Sequence, residues 1–288
     1  MPFFGKNVYL SKSKKINTMV NYNALLDDLF DKWENQLPEE HKEVFCRDGL
    51  MRRPSGKDVN ALWGSATRRV AFLLKDKSDG SCDDIRNWLV NDNDNGKYCR
   101  ELKGGKIGRT GFLPNIARML YGLLNVSTKD NNPLGFDDVK SKMQDVRETW
   151  NNAPVALIET KKNAGGSTVS NDDMQEAIMR DNTLLKNELD ILKANILVCC
   201  DANDSQFKFV TDTYLIGKKC VRILDDSIEY EGFKPCSIYY YPEEKVAVIK
   251  SYHPTRLGKP NWIIYERVVC TMRKLLREYP EPFEKLNE

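Results

Sequence analysis

Val70-Ala71-Phe72-Leu73-Leu74-Lys75-Asp76 is a run of five apolar residues stopped by two charges. Five residues is a strand's length. A run apolar at every position, rather than at every second one, fits a strand buried on both faces. Three more runs repeat the pattern: Val155-Ala156-Leu157-Ile158 before Glu159, Ile196-Leu197-Val198-Cys199-Cys200 before Asp201, and Val246-Ala247-Val248-Ile249 before Lys250-Ser251-Tyr252-His253-Pro254. Helical spacing fills the gaps between them. Ile116, Met119, Leu120 and Leu123 form a stripe over residues 114–124. A helix is expected over 137–150. A long one over 172–193 carries Met174, Ile178, Leu184, Leu185, Leu189 and Leu192, and a last one covers 261–278. Strands alternating with helices predict an α/β fold: a three-layer α/β/α sandwich around a central, mostly parallel four-stranded sheet.

Working outward, residues 1–20 are basic and polar and read as a loose arm. Leu25, Leu26, Leu29, Phe30 and Trp33 predict a helix over 21–37, with Asn23 as its cap. A short helix is expected from 83 or 84 to 90, and short strands within 207–235. This gives an N-terminal arm and helical extension over 1–60 and an α/β/α domain over 61–288. The longest apolar runs are strand-sized, too short for a bilayer helix, and residues 1–15 have neither the apolar run nor the cleavage site of a secretory signal. The eight cysteines form no C-x-x-C pair. Without a secretory signal they are expected to be reduced, in a cytoplasmic protein. Cys46, Cys82 and Cys99 make an incomplete set for an iron–sulfur site. Forty-four basic and 42 acidic residues leave a net charge of +2, which excludes a histone-like polycation but not an enzyme with a local basic stripe.

In a parallel sheet of this kind ligands sit outside the carboxyl ends of the strands. Here those ends carry Asp76, Glu159, Lys162, Asp201 and His253. Loops are polar anyway, which explains any one of these residues more easily than the set. Only two histidines are present. His41 sits in a charged run and reads as a surface residue, whereas His253 opens a basic loop, His253-Pro254-Thr255-Arg256-Leu257-Gly258-Lys259.

On these motifs the chain resembles the uracil-DNA glycosylase superfamily over about residues 65–275. That family carries a G-Q-D-P-Y loop after its first core strand, a polar base-reading residue after the second and H-P-S-P-L after the last. Leu74-Lys75-Asp76-Lys77-Ser78 keeps the Asp and loses the Pro and the aromatic. His253-Pro254-Thr255-Arg256-Leu257 has Thr for Ser and Arg for the second Pro. The resemblance implies a monofunctional DNA glycosylase that flips a base out of the helix and hydrolyses its N-glycosidic bond, leaving an abasic site. It needs no cofactor and no metal. DNA is the expected partner, with no membrane and no obligatory protein partner, and the protein is expected to be a monomer.

Cleaving the bond builds positive charge on the sugar and negative charge on the departing base. Asp76 is the candidate to orient water and stabilise the cation, and His253 to stabilise the leaving base. Glu159, Ser78 and Lys162 are the candidate base-binding residues. Many relatives carry Asn where Glu159 stands. An ionised Glu only accepts hydrogen bonds, which suits the amino group of cytosine better than the O4 of uracil. A modified cytosine is therefore the expected base, as in defence against phages with modified DNA. Thr255, Arg256, Leu257, Lys259, Gly165, Gly166 and Ser167 are the candidate DNA contacts, with Leu257, or alternatively Arg256, as the wedge that replaces the flipped base. Tyr252 and Trp262 are candidate stacking residues. Lys103, Lys106 and Arg109 in one loop and Arg267 beside the other add positive charge. Lys75 and Lys162 could form a Schiff base, but hydrolysis needs none. Ordinary uracil repair, a binding module without catalysis and a nucleoside hydrolase are the competing readings.

Overall fold

A computed structural model describes residues 20–53, 55–76, 84–87, 112–129, 134–166, 169–201, 204–224, 236–255 and 261–284. The central strands are β2 (Val70–Leu74), β3 (Ala156–Glu159), β4 (Ile196–Cys200) and β7 (Val246–Ser251). They run parallel in the order β3-β2-β4-β7, as the four apolar runs foretold. The sheet itself has seven strands among the described residues, not four. β1 (Gly49–Leu50) joins antiparallel beside β3, and β6 (Ser237–Tyr241) and β5 (Val221–Leu224) extend the β7 side antiparallel. Gly49–Leu50 is too short to show a period. β6 is Ser-Ile-Tyr-Tyr-Tyr, whose aromatic residues suit a strand without an apolar run.

Both faces of β2 are buried. Val70, Phe72 and Leu74 belong to one hydrophobic cluster, and Ala71 and Leu73 to another. On the first face lie α4 (Phe112–Asn125), α5 (Phe136–Ser141), α6 (Met143–Asn152) and α9 (Asn261–Glu278). On the second lie α1 (Tyr22–Glu34), α3 (Val59–Ser65) and α7 (Asn171–Leu192). The short α2 (Glu39–Lys42) and α8 (Ser205–Lys208), the latter continued by a π-helical turn over Phe209–Tyr214, complete the described helices. Leu26, Phe30 and Trp33 of α1 are almost wholly buried in the second cluster, so the expected N-terminal extension shares its core with the α/β unit.

Local chemistry sets the helix ends. α1 is capped by Asn21, whose side chain accepts from the Ala24 N–H. Asn23, the expected cap, lies inside the helix and is buried. The helix expected over 137–150 is interrupted at Lys142, which leaves helical geometry between α5 and α6. The helix expected over 83–90 is a 3-10 turn at Ile85–Asn87 within the described residues. α7 opens at Ser170, whose hydroxyl accepts from the Asp173 N–H, and closes at Lys193 in the left-handed conformation. Among the described residues no helix is long and apolar enough to cross a membrane.

Candidate active site

The chain leaves β2 for β3 on one side and leaves β4 for β5, β6 and β7 on the other. Loops that part in opposite directions open a crevice between the carboxyl ends of β2 and β4. Lys75 and Asp76 follow β2, Glu159 closes β3, Asp201 follows β4, and Tyr252 and His253 follow β7. All lie on one edge of the sheet. β4 separates β2 from β7, so their ends stand roughly 10 Å apart by strand spacing.

His253 is the best defined of these groups. Its Nδ1 accepts from the Thr255 backbone N–H at 3.2 Å and lies 2.8 Å from the Thr255 hydroxyl. A nitrogen that accepts from an amide carries no proton, so the neutral ring keeps its proton on Nε2. Burial, helped by the positive charge of Lys75, pushes its pKa down to about 4, so the ring is neutral at pH 7. Phe112 stacks on it with centroids 5.9 Å apart. The loop is held from α4. Asn115 donates to the Pro254 carbonyl at 2.6 Å and to Asn261 Oδ1 at 3.1 Å, and Arg118 donates to Asn115 at 3.0 Å. The sequence reading missed Asn115 and Arg118. Their signal was two polar residues three apart within an otherwise apolar helical stripe.

Asp76 is held from the end of β3. The Lys161 N–H donates to the Lys75 carbonyl, and Thr160 donates to the Leu74 carbonyl through both its N–H and its hydroxyl. Lys161 Nζ reaches Asp76 Oδ2 at 3.1 Å, and the Asp76 side chain is only 4% exposed. Burial raises its pKa above the ordinary value, with the lysines 161 and 75 opposing. Gly165 packs directly on this pair, since a Cβ there would stand 2.5 Å from Asp76 Oδ2 and 3.0 Å from Lys161 Nζ. Gly165 thus covers Asp76, while Gly166 and Thr255 are exposed. Asp201 is engaged locally, accepting from the Asp204 and Gln206 N–H groups.

Glu159 departs from expectation in its protonation. It is 2% exposed, and Oε2 has no hydrogen-bond partner among the described residues. Burial, with Asp48 and Asp76 adding like charge, pushes its pKa up to about 8. At pH 7 it is mainly a neutral acid, with one donor and one acceptor. The ionised, acceptor-only group assumed from sequence is therefore the minor form.

Lys162 is turned away from this edge group. Its ammonium is fully buried against Asp48 (2.6 and 2.7 Å) and Glu188 (2.7 Å), above the rings of Phe30 and Trp33. Three carboxylate oxygens occupy its three donors, so it has none left for a base. Lys161, one residue earlier, is the lysine beside Asp76. Tyr252 lies under Arg267, whose guanidinium stands 4.0 Å from its ring centroid, and Arg267 is buried. Ser78, Ser167, Arg256, Leu257 and Lys259 lie outside the described residues, as do Cys82, Cys99, Lys103, Lys106 and Arg109. Among the described residues no cluster of three or more His, Cys, Asp or Glu is placed to hold a metal. No protein-family model and no curated protein matches this chain.

Proposed function

We propose that this protein is a DNA glycosylase that hydrolyses the N-glycosidic bond of a flipped pyrimidine. The observation that carries the reading is the pairing, across the end of β4, of the Asp76 carboxyl with a neutral imidazole whose Nε2–H is its donor. A gap of roughly 10 Å accommodates a nucleoside. Water adds to C1′ on the Asp76 side, the C1′–N bond breaks with its electron pair going to the base, and the proton that water loses passes through solvent to the departing base. Asp76 offsets the positive charge on the sugar, and the His253 N–H stabilises the negative charge on the base. Helices on both faces of the sheet, taken as three layers, agree with the glycosylase resemblance. The protein would act as a cytoplasmic monomer on DNA, with Thr255, Arg256, Leu257 and Lys259 as the proposed DNA contacts.

Glu159 refines the choice of base. A neutral acid meets the O4 and N3–H of uracil, and equally the amino group and N3 of cytosine, by moving its proton between oxygens. The ionised form only accepts, from the cytosine amino group or from the N3–H of uracil, and loses the contacts to uracil O4 and cytosine N3. A modified cytosine remains the proposed substrate, its base edge read through the Glu159 carboxyl in either protonation state.

The test is base release from matched DNAs carrying uracil, modified cytosine or normal bases only. Release from a modified or deaminated base, abolished in Asp76→Asn while DNA binding persists, is the expected result. Release from free nucleosides without salt-sensitive DNA binding would make the protein a nucleoside hydrolase. A binding module is the second reading, favoured by the Lys161 ion pair on a nearly buried Asp76. Binding without release from any DNA would establish it.

A further inference from the structure

At the other edge of the sheet the chain leaves β1, where the Met51 N–H bonds the Val155 carbonyl just before β3. Arg53 follows, only 3% exposed. Its Nη1 donates to the Trp150 carbonyl at 2.9 Å, and its guanidinium carbon lies 5.2 Å from the Trp150 ring centroid. Nε and Nη2 have no hydrogen-bond partner among the described residues. Among the described residues no charged group offsets its burial, which lowers its pKa to about 9. A buried cation left in this state is costly unless an anion joins it.

Arg53 lines a pocket of about 460 Å³ between α1 and α3, together with Arg52 and Lys57, both exposed. Two carboxylates also line it, and both are committed. Asp27 pairs with Arg86, and Asp58 accepts from the Asn60 and Ala61 N–H groups as the cap of α3. The open Nε and Nη2 lie on one edge of the guanidinium, so their parallel N–H groups match two oxygens of one anion. Two further cations at the rim favour a doubly charged anion over a carboxylate.

We propose that this pocket binds a phosphate monoester, held by the open edge of Arg53 with Arg52 and Lys57 at its mouth. The site is separate from the Asp76–His253 edge, since β3 alone runs about 13 Å between the two, and it does not rest on the glycosylase reading.

The experiment is thermal unfolding and calorimetric titration of the full chain with inorganic phosphate and with a deoxynucleoside 5′-monophosphate, at ionic strength held constant with chloride. A saturable rise in Tm is expected. It should persist in Asp76→Asn and disappear in Arg53→Met, with affinity weakened at least tenfold. A stronger response to the nucleotide than to phosphate would identify the ligand as a nucleotide, and equal responses a free phosphate. If Arg53→Met does not fold, the exposed pair Arg52→Glu and Lys57→Glu serves instead, with the same tenfold loss expected. No saturable rise, or one unchanged in these variants, overturns the proposal.

Discussion

Glu159 and His253 are displaced from their ordinary pKa values in opposite directions, and each direction fixes a sign. The Glu159 carboxyl holds its proton up to about 8 in the folded chain, far above an unfolded carboxyl. Its contribution to stability is complete below the unfolded value and is lost as pH rises to about 8. His253, lowered to about 4, contributes stability above the unfolded histidine value that is lost as pH falls towards 4. The two slopes oppose each other in mild acid, and above about pH 6.5 only the Glu159 slope remains. Urea unfolding between pH 6.5 and 8.5 should show declining stability. Glu159→Gln should flatten that decline by roughly 2 kcal/mol, taking ~1.4 kcal/mol per pH unit from 6.5 to about 8. A variant that declines as steeply as the parent would show that Glu159 is ionised throughout. Gly165 supplies a second test at this scale. A methyl group at 2.5 Å from Asp76 Oδ2 must push the carboxylate aside, so Gly165→Ala should lower base release by about 10²-fold with the fold retained by circular dichroism. Unchanged release would show that the position of Asp76 is immaterial to the reaction.

At the scale of elements, helix α4 positions the segment that carries His253. Asn115 links it to Pro254 and Asn261 on either side of the segment after His253. Asn115→Leu keeps the helix and removes those bonds. Unfolding free energy should fall by about 1–3 kcal/mol, because the Pro254 carbonyl is left unsatisfied. The rate of base release should fall more steeply than substrate affinity, since Asn115 acts through His253 and not on DNA. Equal losses in rate and affinity would count against that role. The sequence told less about such contacts than about the elements themselves. The four apolar runs were legible because each is continuous and ends at a charge, and the helices at 114–124, 172–193 and 261–278 because each repeats a period over many residues. The Lys142 interruption, the Asn21 cap and β1 depend on one or two residues each, and no period marks them.

At the scale of the whole molecule, the Lys162 cluster joins three parts of the chain: Asp48 before β1, Lys162 after β3 and Glu188 on α7, all beneath α1. Burial, with Asp48 adding like charge, raises the Glu188 pKa well above that of an ordinary carboxyl, and Lys162 opposes the rise. Lys162→Met would leave a buried carboxylate without its cation and should destabilise the fold by about 3–5 kcal/mol, measured by urea unfolding at pH 7. A loss below about 1 kcal/mol would mean that the acids are both neutral without the lysine. The cluster also shows why Lys162 was misplaced as a base reader. A lysine at a strand end beside Lys161 reads as solvent-facing, and only the distant Asp48 and Glu188 draw it inward. By itself the sequence determined the α/β class, the parallel central strands and the edge on which Asp76, Glu159 and His253 gather, because apolar runs and strand polarity are local properties. Only the tertiary structure decided which lysine meets Asp76, that Glu159 is neutral and His253 uncharged, and that Arg53 is buried with no counter-ion among the described residues. Those depend on the solvent excluded and the charges brought together by residues far apart in the chain.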